Sequence, residues 1–426
     1  MSICFTNTVF QELRSRYPTW EQLEEYLESE EGGLFRIVNQ NSNNGLSLIR
    51  YEKGISNMDL PHSKWFRSVV WDRNTNLPVS VAPPKSSSTE FPFKTRQEAV
   101  DAGIICQEHI DGFMINCFKR VGDDTLYITS RSKLDASGHF HSAKSFRQLF
   151  VEAYTGWIIT VDSPSESLEM IIQGKASEFP SPESDHNEVA TCLSFLVQHV
   201  DHRNVTTIKG NNVTLIHKAI VYSDGTISIQ DTPGSLSNCV PLSNIPMTDG
   251  SDQITTWVHE QLRSQSWEVQ GIVFKDQSGN RWRFRSESYL AVRSLRGNSS
   301  SVVDRFVQLY LQNLAHTYLE YYPEDSVMFS FYQEMMKFLI HSIYTEYQQL
   351  HVRKTTTIDK INKMYHPHLY SLHGHYLSQL RSANKKVTLN EVHDYLRKQP
   401  WQRISFLLRG IQDVYYGMIQ ANVAMA

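Results

Sequence analysis

The strongest constraint on the fold is a change in sequence texture near residue 297. Before it, short apolar runs are separated by Gly and Asn clusters, which is typical of strands joined by tight turns. After Gly297 no glycine occurs until Gly374, and apolar and tyrosine positions recur at helical spacing. We therefore predict an α+β domain over residues 1–297 and an all-α domain over residues 298–426.

The composition excludes several classes of protein. Hydrophobic residues make up 40% and charged residues 20%, with a formal net charge of −4, so a disordered chain or a basic tail is excluded. No apolar run approaches the roughly 20 residues that span a bilayer, and the first residues lack the pattern of a signal peptide. We therefore expect an intracellular protein, in cytoplasm or nucleus, with no membrane partner.

The cysteines point to a reducing compartment. There are five of them, which is an odd number, and they are dispersed and never spaced CxxC. This pattern argues against a disulfide framework and against a zinc site with cysteine ligands.

Local patterns give a provisional set of elements for the first domain. Thr19 and Gln22 have capping-box spacing, so residues about 1–32 are predicted as a helical N-terminal extension. The segment 163–188 is rich in Ser, Pro, Glu and Asp, which predicts an exposed loop. Predicted helices lie at 94–102, 145–154 and 254–265, and predicted strands at 34–38, 46–51, 66–71, 77–81, 112–118, 125–130, 193–197, 213–222, 271–274 and 281–285.

Two motifs that lie far apart in the chain carry the functional prediction. Glu108-His109-Ile110-Asp111-Gly112 precedes the first predicted hairpin, and Gln270-Gly271-Ile272-Val273 opens the second. The return strand of the second hairpin reads Arg281-Trp282-Arg283-Phe284-Arg285. Strand alternation places its arginines on one face and its aromatics on the other. Such a face is either a solvated strand surface or the wall of a phosphate-binding cleft.

This order of motifs resembles the RNA ligases of the phage RNA ligase 1 group, which are covalent nucleotidyltransferases. That family carries Glu-Lys-x-Asp-Gly at the first site, Glu-Gly-x-Val at the later one, and Lys-x-Lys-Ser shortly after. The resemblance covers about residues 30–297. It implies a nucleotidyltransferase fold with antiparallel sheets for the first domain.

Upstream segments are similar to the same family. Arg67, within 66–71, matches the family's Arg-Gly strand segment, and 79–85 resembles a strand that ends in a phosphate-binding lysine, here Lys85. Residues 195–205 resemble the third motif, which normally contains a glutamate. Together with the two motifs above, these segments give five pieces in the family's order and at sensible spacing.

The resemblance implies a chemistry whose main residues this chain lacks. In the family, a neutral lysine attacks the α-phosphate of ATP, glutamates help to hold ribose and a divalent metal, and a lysine pair stabilises developing charge. In this chain His109 stands where the family has its lysine nucleophile, and Phe195 or Leu196 stands where it has the glutamate of the third motif. Gln270 takes the place of the later glutamate, and Arg283 and Arg285 take the place of the lysine pair. The matching positions are Arg67, Lys85, Asp111, Gly112 and Gly271.

Arginine binds phosphate well but cannot act as a neutral nucleophile. The substitutions therefore predict a catalytically degenerate RNA-ligase-like protein that binds RNA ends or a nucleotide through a retained basic cleft. The first alternative is an active divergent RNA ligase or nucleotidyltransferase that uses ATP and Mg²⁺. In it, His109, or a displaced lysine such as Lys85 or Lys119, accepts the nucleotidyl group. The second alternative is a structural or assembly protein that reuses the fold.

The expected partners are RNA and a protein that binds the helical domain. By analogy with the ligases, which are frequent in phages and large DNA viruses, we expect a viral or virion-associated origin. Within the helical domain, His366, His368, His373 and His375 lie close together in sequence. Histidine is a common zinc ligand, but the spacing is not that of a helix-borne pair, so we predict a polar connection between helices and no metal site.

Overall fold

The computed structural model describes residues 3–38, 44–87, 89–231 and 253–425. The chain divides into two compact units, Met1–Ala291 and Val292–Ala426. The first unit mixes helices with antiparallel sheets, and the second is helical. The boundary between them lies within the helix Glu287–Arg296.

The first unit contains most of the chain's secondary structure elements. Its strands are β1 (Ile3–Asn7), β2 (Arg36–Val38), β3 (Leu46–Arg50), β4 (Val69–Asp72), β5 (Leu77–Val81), β6 (Ile105–Glu108), β7 (Phe113–Arg120), β8 (Asp123–Ser130), β9 (Glu188–Gln198), β10 (Asn212–Tyr222), β11 (Ile227–Asp231), β12 (Gly271–Lys275) and β13 (Arg281–Arg285). Its helices are α1 (Val9–Arg16), α2 (Trp20–Glu28), α3 (Arg96–Asp101), α4 (Phe146–Thr155), α5 (Ser165–Gly174) and α6 (Ile254–Arg263), and α7 (Glu287–Arg296) crosses the boundary.

The described strands form three sheets. The largest has the order β1-β11-β10-β9-β7-β8, a second has the order β2-β3-β4-β5, and a third has the order β13-β12-β6. One face of the largest sheet packs on the second sheet with α1 and α2, and its other face packs on α4 and α5. Both faces of β4 and β5 are therefore buried, which explains their nearly continuous apolar sequence.

The predicted helical N-terminal extension is wrong at its start. Residues Ile3–Asn7 form the edge strand β1, which pairs antiparallel with β11. Phe5 on this strand packs against the core, so the short stretch gains more from strand pairing than from helix formation. The capping box is confirmed, because the Thr19 hydroxyl accepts from the Gln22 N–H and the Gln22 side chain accepts from the Thr19 N–H.

The predicted loop at 163–188 is also wrong, because it contains the helix α5. Leu168 and Ile172 lie one turn apart and are buried against the sheet and α4. The ion pair between Arg147 and Glu169 links α4 to α5. The segment is polar overall, so its composition suggested a loop. The spacing of its apolar residues, taken position by position, indicates an amphipathic helix.

The second unit consists of helices around a long central one. Its helices are α8 (Val302–Leu311), α9 (Ala315–Tyr321), α10 (Ser326–Tyr347), α11 (His366–His375), α12 (Leu389–Arg397) and α13 (Trp401–Met425), with π-helical segments Gln348–Arg353 and Tyr376–Leu380. The buried face of α10 packs on α8, α11, α12 and α13. None of the described helices is both long and apolar enough to cross a membrane.

The histidine-rich stretch is part of a helix and not a connection between helices. His366–His375 forms α11, and Pro367 lies in its first turn, where its missing N–H has no intrahelical acceptor to lose. His368 is buried, and its Nδ1 lies 3.0 Å from the Tyr395 hydroxyl. The four histidines thus serve different contacts along one helix.

We expect the stability of the helical unit to depend on His368 at acid pH. Burial, and secondarily Arg403, lower the pKa of His368 to about 4, whereas an unfolded histidine titrates near 6.5. The native state therefore binds fewer protons, and the free energy of unfolding falls as the pH drops below about 6.5. In His368→Gln this loss should be smaller by about 1–2 kcal/mol at pH 5, measured by urea denaturation. The exposed His316 gives the control His316→Gln, and identical pH profiles for wild type and His368→Gln would contradict the prediction.

Candidate functional site: a basic face on the three-stranded sheet

The register of the three-stranded sheet gathers polar and cationic side chains on one face. Val273 of β12 pairs with Gln107 of β6 on one side and with Arg283 of β13 on the other. Directly paired residues share a face, so the next pairs on that face are Lys275 with Arg281 and Gly271 with Arg285. The predicted separation of arginines from aromatics along β13 is confirmed.

The opposite face of this sheet is apolar and packs on α3 and α6. Phe274 stacks on Phe91 with ring centroids 4.7 Å apart, and Trp282 meets Phe91 edge to face at 5.4 Å. Val258 and Leu262 of α6 join the same core. This packing holds β13 in place, so its arginines project from a rigid support.

His109 lies where β6 ends, next to the first residue of β12. Its backbone N–H donates to the Gly271 carbonyl at 2.8 Å. Burial lowers the pKa of its imidazole well below the ordinary value, and Arg281, Arg285, Arg283 and Arg67 lower it further. The ring is therefore neutral at pH 7, and its buried Nδ1 has no hydrogen-bond partner among the described residues.

Arg67 reaches the same place from the second sheet. It precedes β4, and Arg281, Arg131 and Arg283 lie close enough to repel its guanidinium. Burial and this repulsion lower the pKa of Arg67 to about 9, which still leaves it charged at neutral pH. The structure thus brings together Arg67, His109, Arg283 and Arg285, which the sequence had selected from three separate segments.

A cavity of about 200 Å³ lies beside Arg67. Its lining includes Arg67, Arg131, Ser130, Ser132, Phe113 and Phe146. Arg67 and Arg131 line this cavity, and Arg281, Arg283 and Arg285 lie near His109. We call these five arginines together the basic cleft. Guanidinium and hydroxyl donors next to aromatic rings suit an anion that carries an apolar or aromatic group.

Lys85 is linked to the basic cleft through Tyr51. Its Nζ lies 5.6 Å from the centroid of the Tyr51 ring, and the Arg131 guanidinium lies 4.4 Å from the same centroid. Tyr51 is also a close neighbour of Arg67. Sequence reasoning missed Tyr51 and Arg131, because neither lies in one of the recognised motifs and neither follows a periodic pattern.

Lys119, the other lysine considered as a displaced nucleophile, is used elsewhere. It is buried on β7, where its Nζ donates to the Phe179 carbonyl at 3.2 Å and to the Ser181 hydroxyl at 3.3 Å. These bonds stabilise the segment that precedes β9. Lys119 thus has a structural role.

Asp111 also supports a loop. Its buried carboxylate accepts from the backbone N–H groups of Val205 at 3.0 Å and Thr206 at 3.2 Å, and from the Asn204 amide at 3.4 Å. Asp111 therefore anchors the segment that follows β9, which the sequence had compared with the third motif. The Asp111 carboxylate is thus retained, but its hydrogen-bond donors are groups of the chain itself.

Both motif glycines are required by close packing. A Cβ at Gly271, whose φ is +148°, would lie 1.9 Å from the Phe284 carbonyl oxygen. A Cβ at Gly112 would lie 2.7 Å from the Val197 carbonyl oxygen. Gln270 is buried just before Gly271, and its carbonyl accepts from the Ser286 N–H at 3.1 Å.

The residues around His109 do not fit a magnesium ion. Mg²⁺ prefers carboxylate oxygens, whereas the side chains that most affect His109 are guanidiniums, and the Asp111 carboxylate is taken up by backbone N–H groups. Gln270 supplies no negative charge where the ligases have a glutamate. We therefore derive no metal-dependent step at this site.

Glu152, His199 and Asp201 form the one ligand-like group found in the described part of the chain, and it too is better explained without a metal. The Lys144 ammonium lies 2.6 Å from Glu152 and 2.8 Å from Asp201, where it neutralises both carboxylates. Nδ1 of His199 accepts the Asp201 backbone N–H at 3.0 Å, so the ring proton is on Nε2, the atom that faces Glu152. A protonated nitrogen offers no lone pair to a metal.

Comparison with known proteins does not extend these observations. No protein-family model matches the chain, and no curated protein matches it.

We expect Asp111 to act on stability. Asp111→Ala leaves the N–H groups of Val205 and Thr206 without their acceptor inside the protein, which should lower the free energy of unfolding by about 2–4 kcal/mol. Urea denaturation measures this loss, with Asp124→Ala, an exposed carboxylate on β8, as the control. Unchanged stability in Asp111→Ala would show that the carboxylate does not support this loop.

Proposed function

We propose that the chain is an RNA-ligase-like protein, degenerate at its catalytic positions, that binds RNA ends or a nucleotide through the basic cleft. The observation that carries the proposal is the convergence of Arg67, Arg281, Arg283 and Arg285 on His109. These residues come from segments that are distant in sequence and that resemble the phosphate-handling motifs of the ligases.

The energetics of the cleft favour an anionic ligand. Burial, and after it repulsion by Arg281, Arg131 and Arg283, lower the pKa of Arg67. A phosphate relieves the repulsion and accepts bidentate hydrogen bonds, which arginine donates better than lysine. The aromatic lining at Phe113 and Phe146 and the ring of Tyr51 give bases a surface for stacking.

The same features weigh against nucleotidyl transfer. Arginine is always charged, so it cannot replace the lysine nucleophile or carry a proton. Gln270 is neutral and the surroundings of His109 do not suit Mg²⁺. The replacement of the ligase residues by Gln270 and by arginines therefore favours retained phosphate binding over retained catalysis. A nucleotidyltransferase fold for the first unit is part of this proposal, supported by the antiparallel sheets on which the motifs lie.

The proposal predicts salt-dependent RNA binding. A 5′-phosphorylated single-stranded RNA should bind the full chain, and its affinity should fall with salt concentration because phosphate contacts release counterions. Arg283→Ala should weaken binding and reduce the slope of log K against log salt by about one. Fluorescence anisotropy over a salt series measures both quantities.

Arg263→Ala is the matched control for this experiment. Arg263 is exposed on α6, which packs on the apolar face of the three-stranded sheet. The control should bind RNA like the wild type. If Arg283→Ala also binds with unchanged affinity and slope, the basic cleft is not the RNA site and an assembly role gains support.

His109 supports a second candidate, an active nucleotidyltransferase. A neutral imidazole is the nucleophilic form, and the arginines around it are placed to hold phosphate groups. In that reaction a ring nitrogen attacks the α-phosphorus of ATP. A P–N bond forms, the bond from the α-phosphorus to the bridging oxygen breaks, and pyrophosphate leaves.

Labelling separates the two candidates. The full chain incubated with α-³²P-ATP and Mg²⁺ or Mn²⁺ should acquire no covalent label if the protein is degenerate. A stoichiometric label that is absent from His109→Gln would establish the second candidate and overturn the first. The label is followed on denaturing gels, and Lys119→Gln serves as the control for a displaced nucleophile.

A further inference from the structure

The helical unit contains two short π-helical segments, each at the end of a helix. The first, Gln348–Arg353, continues the C-terminal end of α10, and the second, Tyr376–Leu380, continues α11. α10 also packs directly against α11. Segments of this kind are rare in proteins and are often found at functional positions.

A pair of stacked histidines joins these two helices. The rings of His351, in the first π-helical segment, and His373, near the end of α11, are 3.9 Å apart between centroids and within 7° of parallel. We call this pair the histidine stack. The buried Nε2 of His351 has no hydrogen-bond partner among the described residues.

Tyrosines enclose the histidine stack. The buried Tyr347 has its ring 5.0 Å from that of His351 and its hydroxyl 3.4 Å from Nδ1 of His373. Tyr376 also stacks on His373, with ring centroids 5.9 Å apart. Burial raises the pKa of Tyr347 to about 12, so this neighbour stays neutral over the whole range in which histidines titrate.

Other charged groups on the packed helices are engaged in separate contacts. On α12, Glu391 lies 3.4 Å from Nε2 of His375. Arg353 and Lys354, at the end of the first π-helical segment, are exposed and add positive charge near that end of the helix. No carboxylate contacts the histidine stack within the part of the chain that the structure describes.

The stack is stable only while its rings are largely neutral. Two positive charges at this separation and partly shielded from water repel each other strongly. Such repulsion opposes the local packing that holds the segment closed. Burial and the neighbouring His373 lower the pKa of His351, so the closed form binds protons less readily than an opened one. Opening is therefore favoured as the pH falls below about 6.5, the value for an exposed histidine.

We propose that the histidine stack is a pH-operated latch that holds the C-terminal end of α10 against α11 at neutral pH and releases it in acid. Release frees the two π-helical segments and leaves the rest of the helical unit folded. The latch belongs to the second unit and does not depend on the function proposed for the basic cleft.

Amide hydrogen exchange of the full chain at pH 7.5 and pH 5.0, corrected for the intrinsic effect of pH, tests the latch. Peptides that cover 347–354 and 373–380 should exchange severalfold faster at pH 5.0 than at pH 7.5, because the closed form binds protons less readily than the opened one. In His351→Phe, which keeps an aromatic ring but cannot be protonated, the loss of protection in these two peptides should be much smaller than in the wild type. His341→Phe, at an exposed position of α10, should behave like the wild type.

Equal protection of the wild-type peptides at the two pH values would overturn the proposal. So would a loss in His351→Phe that equals the loss in the wild type. Circular dichroism at pH 7.5 verifies that the variant is folded, and His373→Phe, which replaces the other ring of the stack, is the second variant. If neither variant folds, the wild-type comparison alone decides between a latch and a rigid contact.

Discussion

The aromatic packing on the apolar face of the three-stranded sheet is the interaction on which the candidate site depends. Phe274 and Trp282 pack on Phe91 and anchor β12 and β13 from that face. On the opposite face, Arg281, Arg283 and Arg285 lie close enough to His109 to lower, together with burial, the pKa of its imidazole. Arg67 joins them, although Arg281, Arg131 and Arg283 repel its guanidinium.

This arrangement is compatible with the binding role proposed above. A negatively charged ligand would offset the repulsion on Arg67 and accept hydrogen bonds from the guanidiniums. A reaction needs groups that change protonation state or ligate a metal, and here Gln270 and the arginines do neither. His109 is the exception, since its neutral ring retains nucleophilic character.

Much of the site could be predicted from sequence because strand periodicity is a local property. The alternation of Arg and aromatic residues on β13 determines two faces wherever that strand lies. The use of Asp111 as a loop anchor and the approach of Arg131 to Tyr51 depend on contacts between distant segments, which no local pattern encodes. Composition misled the interpretation of 163–188, because a polar helix needs only a narrow apolar stripe, here Leu168 and Ile172, to dock on a sheet.

The glycine at position 271 has a consequence for how the chain tolerates mutation. Its α-carbon faces the Phe284 carbonyl oxygen so closely that a single added methyl group would push β12 and β13 apart. The same residue accepts the His109 N–H and is the cross-strand neighbour of Arg285. Any side chain at this position would therefore displace elements of both motifs together, and random mutagenesis should recover glycine there as an isolated, invariant position among more permissive neighbours.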